Sequence, residues 1–273
     1  MNIAVYINSR LKESNDLQME VTHLLAENNL KYKWIEKNNL SDWADIVLVI
    51  GGDGTILRMA KSAVEHNVKI LAVNAGNLGF LTAFEKSNLK DAIQFLKAGN
   101  YYLDNRSLLE CKVNGQHYLA VNEFAIHADY TYSIKKENAD KNSKVIRASI
   151  QLNNRFVTNI VASGVLVSTP TGSTAYSLSA GGAILTPNLP AFIYTPIVAN
   201  SLTSRPIVYR DDNILSIELQ EKSANAILLC DGENIAYLPK DSKIQIYKAD
   251  KFVTFIRRVD DNFFENYKKR VEK

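Results

Sequence analysis

Residues 45–55 read DIVLVIGGDGT, five apolar residues in a row that break into three glycines, an aspartate and a threonine. An apolar run of this length, bounded by turn residues, fits a strand covered on both faces, which demands a layer above it and a layer below. Gly51, Gly52 and Gly54 carry no Cβ, so the turn can take φ > 0 and a ligand can come close to the backbone. Ile56, Leu57, Ala60 and Val64 then recur at helical spacing from Thr55 to about Glu65. A helix opening there aims unpaired N–H groups at whatever lies over the glycines, a favourable place for phosphate. Asp53 beside a phosphate is unfavourable unless it binds metal or takes a proton, so the segment points to phosphoryl transfer. A turn with no ligand uses the same residues, and this stretch alone does not separate the two readings. The Walker A pattern and the Gly-x-Gly-x-x-Gly dinucleotide fingerprint are both missing.

The first hundred residues alternate strand and helix patterns. Ile3–Ile7, Tyr32–Ile35, Ile46–Ile50 and Val68–Val73 read as strands. Leu17, Val21, Leu24 and Leu25 mark a helix over Asn15–Glu27, and another is expected near Leu89–Lys97. Such alternation implies a parallel sheet with right-handed crossovers, whose ligands bind beyond the carboxyl ends of the strands. Both GGDGT and the loop Asn74–Phe80 (NAGNLGF) fall at those ends.

After about Asn100 the period changes to two. Leu108–Val121 reads as a hairpin around Asn114-Gly115, the preferred pair for a tight primed turn, and Ala148–Val161 repeats the theme around Asn153-Asn154. Short strands are expected at Pro206–Tyr209, Ile214–Leu219, Ala226–Leu229, Lys243–Tyr247 and Phe252–Arg257. Together they indicate a β-sandwich or a related antiparallel assembly. Tyr130–Ser143, polar and charged, reads as a mobile loop, and Asp261–Val271 reads as a helix packing back on the first domain. The resulting organisation is an α/β domain over 1–100, completed by about 258–273, and a β-rich domain over 101–257.

Composition narrows the function classes. Of 273 residues, 46% are hydrophobic and 22% charged, ordinary for a soluble globular protein of two domains. A net charge of +3 from 32 basic and 29 acidic residues is no nucleic-acid signature, so no nucleic-acid partner is expected. Cys111 and Cys230 form no Cys-x-x-Cys pair, and the four histidines show no metal spacing. No apolar stretch reaches the ~18 residues that span a bilayer, and MNIAVYINSR lacks the features of a signal peptide. A cytoplasmic location without membrane partners is the expectation.

Ser168–Gly182 (STPTGSTAYSLSAGG) is dense in hydroxyls and glycine. Such a run does not suit a core; its hydroxyls and N–H groups suit a polar ligand at short range. A helix is expected from Ala175, with Thr171 or Ser173 capping it, and a serine-rich capped helix entry is the plainer alternative. No Gly-x-Ser-x-Gly elbow surrounds these serines, which disfavours serine catalysis.

In combination, GGDGT (Gly51–Thr55), NAGNLGFL (Asn74–Leu81), Asn122-Glu123, the threonine-serine motif, LTSRP (Leu202–Pro206) and CDG (Cys230–Gly232) resemble the NAD kinase family. GGDGT also occurs in lipid kinases and, as a close variant, in phosphofructokinases; the threonine-serine motif is the specific part. The resemblance spans nearly the whole chain. It implies a Rossmann-like three-layer α/β domain followed by an antiparallel β-sandwich that binds NAD and contributes to assembly.

The resemblance also implies roles. Asp53 takes the proton from the 2′-hydroxyl of the adenosine ribose of NAD as phosphate arrives from ATP, another nucleoside triphosphate or polyphosphate. Gly52 and Gly54 leave room for phosphates, and Arg58 supplies positive charge to them or lies on a solvated face. Asn122 and Glu123, read as the end of a strand, hydrogen-bond the nucleotide, and Phe80 packs against a base or in the core. Thr174, Ala175, Tyr176, Ser177, Leu178 and Ser179 form the nucleotide-contacting segment, and Lys144 aligns with a basic family position. Mg²⁺ accompanies the donor phosphates with no dedicated protein cage. Relatives form homodimers and homotetramers, and the same is expected here. Two positions depart from the family: Ser163 stands where an Asp beside the nucleotide is usual, and Asn200 where His is common. Alternatives are a lipid kinase, which would need an apolar membrane-facing entry, and a dinucleotide sensor without activity.

Overall fold

The computed structural model describes residues 1–36, 39–76, 79–129, 145–201 and 203–271. In chain order the elements are β1 (Asn2–Ile7), α1 (Ser14–Glu27), β2 (Lys31–Trp34), β3 (Ile46–Gly51), α2 (Asp53–Glu65), β4 (Lys69–Asn74), β5 (Phe84–Glu85) and α3 (Leu89–Ala98). There follow β6 (Tyr102–Val113), β7 (Gln116–Ala120), β8 (Glu123–Ala128), β9 (Ile146–Leu152), β10 (Arg155–Ser168) and β11 (Ala191–Ala199). The last are β12 (Ile207–Arg210), β13 (Leu215–Leu219), β14 (Ala226–Cys230), β15 (Glu233–Leu238), β16 (Lys243–Arg257) and a C-terminal helix, Phe263–Val271. The chain divides into two compact units, Met1–Arg106 with Lys251–Lys273, and Ser107–Asp250.

In the first unit β2, β1, β3 and β4 pair in that order, all parallel, and the end of β16 joins β4 at Phe255 and Ile70. Every residue of β3 is buried, as its uninterrupted apolar run requires. Ile46, Leu48 and Ile50 face α1 and α3 in one cluster with Leu17, Val21, Leu25, Ile93 and Leu96. The buried Ile56, Met59, Ala60 and Ala63 of α2 belong to the opposite face, so helices cover both sides of the sheet. Each such aliphatic side chain contributes about 1.5–3 kcal/mol when fully buried.

Among the described residues of the second unit, β8 to β15 and the β6–β7 hairpin pair antiparallel. β8 lies between β14 and β10, and β10 also pairs with β9 and β11. Phe124, Ile126, Val165, Val167, Phe192, Ile217, Leu228 and Ile246 share one core with Leu109, Cys111 and Val113 of β6, the packing of a sandwich. The two hairpin turns have the left-handed geometry their asparagines allow: φ is +50° and +74° at Asn114 and Gly115, and +47° and +61° at Asn153 and Asn154.

Several elements differ from expectation. Lys243–Tyr247 and Phe252–Arg257 are one continuous strand, because the exposed residues around Asp250 and Lys251 interrupt the hydrophobic pattern but not the backbone pairing. β5, β8, β11 and β15 were not foreseen, and α2 starts at Asp53 rather than Thr55. The Tyr130–Ser143 loop and Lys144 lie outside the described residues. Among the described residues no helix is long and apolar enough to cross a membrane.

Candidate functional site

Asp53 is the first residue of α2, where a negative charge complements the unpaired N–H groups of the helix start. Its carboxylate accepts the Phe80 N–H on Oδ2 at 3.2 Å and the Leu81 N–H on Oδ1 at 3.4 Å. GGDGT and the glycine loop after β4 are thereby brought together on neighbouring strands. Gly79 completes the contact, since a Cβ there would fall 2.0 Å from Oδ1 of Asp53.

The glycines of the turn act through space rather than through left-handed backbone. None of Gly51, Gly52 and Gly54 has positive φ, which corrects the use first expected of them. A Cβ on Gly51 would lie 2.8 Å from the Thr55 side chain, so that position admits no larger residue without a shift. Among the described residues, Cβ atoms at Gly52 and Gly54 would meet nothing within 4 Å, so these two present bare backbone. Arg58 is exposed on α2, and the half-buried Phe80 sets its ring 6.0 Å from that of Phe263.

In the second unit, Asn122 and Glu123 lie between β7 and β8, with Glu123 opening β8 instead of ending a strand. Asp231 organises this point. Its carboxylate accepts the N–H groups of Val121, Asn122 and Glu123 at 3.1, 2.8 and 3.2 Å, and its own N–H returns a bond to the Glu123 carbonyl at 3.0 Å. Burial first, and the nearby Asp231 carboxylate second, push the Glu123 carboxyl up to about 8. Its Oε2 is buried with no hydrogen-bond partner among the described residues. An unpaired buried polar atom is costly, so Oε2 is a natural contact for a ligand hydroxyl or amine.

The threonine-serine motif behaves differently from its composition. Ser168, Thr169, Ser173 and Ser177 are 0% exposed and serve as core residues with internal partners. Thr169 donates its hydroxyl to the Val121 carbonyl at 2.7 Å and accepts the Gly172 N–H at 3.0 Å. Ser173 accepts the Leu185 N–H at 2.8 Å, and Ser177 lies 3.5 Å from the Thr195 hydroxyl. Gly172 presses on Asn122, whose carbonyl oxygen a Cβ would approach to 2.2 Å. The motif thus buttresses the Asn122-Glu123 step from behind. No side chain caps the helical turn Tyr176–Ser179, contrary to the role expected of Thr171 or Ser173. Thr174 is buried and donates to the Thr171 carbonyl, Ala175 and Tyr176 are half-buried, and Leu178 and Ser179 are exposed.

Tyr176 stacks on His127 with ring centroids 5.8 Å apart and planes 6° apart, its hydroxyl 3.2 Å from Nε2. Burial lowers the pKa of His127, while burial and the charge of Glu123 raise that of Tyr176. Ser163 is half-buried on β10 and Asn200 is exposed just beyond β11. Sequence reasoning assigned no role to Asp231 or His127; an aspartate in a Cys-Asp-Gly turn was the available signal for the first. Among the described residues no group of three or more His, Cys, Asp or Glu is placed to hold a metal ion. A cavity of about 580 Å³ lined by Lys112, Gln151, Ser216 and Lys243 contains none of the candidate residues.

The chain matches two family models, ATP-NAD kinase N-terminal domain over residues 2–101 and ATP-NAD kinase C-terminal domain over residues 136–258. The NAD kinase of Blochmanniella floridana is 32% identical over 259 residues, 92% of this chain and 83% of the relative. That of Caldanaerobacter subterraneus subsp. tengcongensis is 34% identical over 228 residues, covering 84% and 78% respectively. Among solved structures, yeast NADH kinase complexed with NADH gives a TM-score of 0.83 at 22% identity, covering all of this chain and 87% of the other. An Archaeoglobus fulgidus NAD kinase in complex with ATP gives 0.79 at 22% identity, covering both chains fully. These structural likenesses carry the fold: an α/β unit followed by a β-sandwich. With both family models matched and relatives aligned along most of their length, this chain belongs to the NAD kinase family.

Proposed function

We propose that the chain transfers the γ-phosphoryl group of ATP to the 2′-hydroxyl of the adenosine ribose of NAD, with Asp53 as general base. The ribose oxygen forms a bond to phosphorus, the bond from phosphorus to the bridging oxygen breaks, ADP leaves and the hydroxyl proton passes to Asp53. The observation that carries this reading is the fixed Asp53 carboxylate, held by the Phe80 and Leu81 N–H groups beside the open backbone of Gly52 and Gly54. Phosphoryl transfer asks chiefly for position and charge stabilisation, and a carboxylate with four lone-pair sites can hold two N–H groups and still accept a proton. Family membership supports NAD as acceptor. The relatives solved with NADH and with ATP support a dinucleotide and a nucleoside triphosphate as the ligands of this fold. Polyphosphate or another triphosphate is an alternative donor.

On the dinucleotide side, Glu123 is the anchor, because a buried carboxyl kept largely protonated near neutral pH both donates and accepts hydrogen bonds. In the second unit Asn122, Ser163 and the Thr174–Ser179 segment, Ala175 and Tyr176 included, are the candidate dinucleotide contacts; in the first unit Phe80 and Arg58 are the candidate base and phosphate contacts. Mg²⁺ would be held by its own waters and the donor's phosphate oxygens, which leaves the Asp53 carboxylate to take the proton. When bound it neutralises donor charge. Assembly as a homodimer or homotetramer in the cytoplasm completes the proposal.

The test is purified protein with NAD, ATP and Mg²⁺, read through an NADP-specific dehydrogenase. NADP forms with the native chain and falls on the order of 10²- to 10⁴-fold in Asp53→Asn, the usual contribution of a general base. Undiminished NADP formation in Asp53→Asn overturns the assignment. Phosphorylated lipid without NADP, or tight NAD binding without turnover on any donor, overturns the activity.

A further inference from the structure

We infer that Arg257 is the positioning residue for the Asp53 carboxylate, acting through the Phe80–Thr82 backbone; this rests on Asp53 being the general base.

Arg257 ends β16 at 1% exposure. Its Nη1 donates to the Thr82 carbonyl at 2.9 Å and its Nη2 to the Phe80 carbonyl at 3.1 Å. The N–H groups of Phe80 and Leu81, within that same stretch, donate to Asp53. One face of three residues is therefore clamped by a guanidinium and the other holds the reactive acid.

The rest of the Arg257 environment argues that holding this loop is its purpose. Its charge is balanced by Asp104, 3.4 Å from Nε, and by Asp261, 3.5 Å from Nη1. Asp104 is nevertheless engaged more closely by Arg106, whose Nε lies 2.7 Å away. Arg257 Nε and Asp104 Oδ1 both remain without a hydrogen bond among the described residues. A buried ion pair imperfectly satisfied in this way is a poor source of stability. Among the described residues the only hydrogen bonds of good geometry made by Arg257 run to the two loop carbonyls. A planar fork spans both carbonyls at once, whereas an ammonium group reaches one.

Arg257→Lys keeps the cation for Asp104 and Asp261 and removes the fork. The expected result is a fall in kcat on the order of 10- to 100-fold, the scale of an ångström-sized misplacement, with KM for NAD and ATP unchanged. The second readout is a double-mutant cycle. In the Asp53→Asn background, with residual turnover followed over long incubations, Arg257→Lys causes no further loss. Asp261→Asn, at a side chain 19% exposed, loosens the fork without deleting it and is expected to lower kcat severalfold, again silently in Asp53→Asn. If Arg257→Lys does not fold, Asp261→Asn decides alone. Native kcat in the folded variants, or a loss that multiplies in full with that of Asp53→Asn, overturns the inference while leaving the catalytic role of Asp53 standing. Native kcat in Asp53→Asn itself removes both.

Discussion

Gly79 rests directly on the Asp53 carboxylate, with room for a hydrogen and not for a methyl group: a Cβ would lie 2.0 Å from Oδ1 and 2.7 Å from Cγ. Gly79→Ala must push the carboxylate out of reach of the Phe80 and Leu81 N–H groups or move the loop. We expect kcat to fall on the order of 10²-fold with a smaller change in KM for NAD. Steady-state kinetics on the folded variant checks this, and native kcat would show that the contact is not needed.

Glu123 gives a pH dependence of stability with a definite sign. Its folded-state pKa of about 8 lies above the ordinary 4.5, so the folded chain holds a proton that the unfolded chain releases. The contribution of this group is fully present below about pH 4.5, declines as pH rises and is lost above about 8. Glu123→Gln mimics the protonated form. Denaturant unfolding should find it more stable than the native chain at pH 9, by a few kcal/mol at most, with the difference vanishing toward pH 4.5.

His127 has the opposite sense. Burial lowers its pKa below the ordinary 6.5, so its contribution is present above that value and is lost as pH falls. His127→Gln should flatten the acid side of the stability profile below about pH 6.5. Tyr176→Phe keeps the stack and removes the hydroxyl bond to Nε2, and should cost about 0.5–1.5 kcal/mol in the same unfolding experiment.

Gly172→Ala brings a methyl group within 2.2 Å of the Asn122 carbonyl oxygen. Overpacking of this kind costs about 1–3 kcal/mol, and here the strain falls on the residue beside Glu123. A lower urea midpoint together with a raised KM for NAD is the expected pair of changes. A lower midpoint with KM unaltered would separate the motif from the nucleotide.

The parallel half was the more legible part of the fold. The buried run of β3 and the helical spacing of α1 carry local signals whose physics holds in the structure, as do the asparagine hairpin turns in the other half. Strands with mixed patterns were not. β11 contains Pro196 in its interior, and β16 passes through exposed residues around Asp250 that look like a turn. At the site, the glycines and Asp53 stand out as residue types, but their partners do not. Ser168 and Ser177 look like surface hydroxyls and are core residues, because Asn122, just before β8, and Thr195 of β11 supply partners from distant positions in the chain. Arg257 and Arg258 are adjacent and alike in sequence; one is 1% exposed and the other pairs outward with Asp260. Only the third dimension separates them.

The unit that carries Asp53 is discontinuous, needing Lys251–Lys273 as well as Met1–Arg106. A ribosome delivers the acid early and the arginine that steadies its loop just over two hundred codons later. Nascent chains usually settle domain by domain from the amino end. Here the leading half must wait with β4 unpaired at Ile70 until the last strand emerges, so a polypeptide truncated before that point is left with the acid but without its brace.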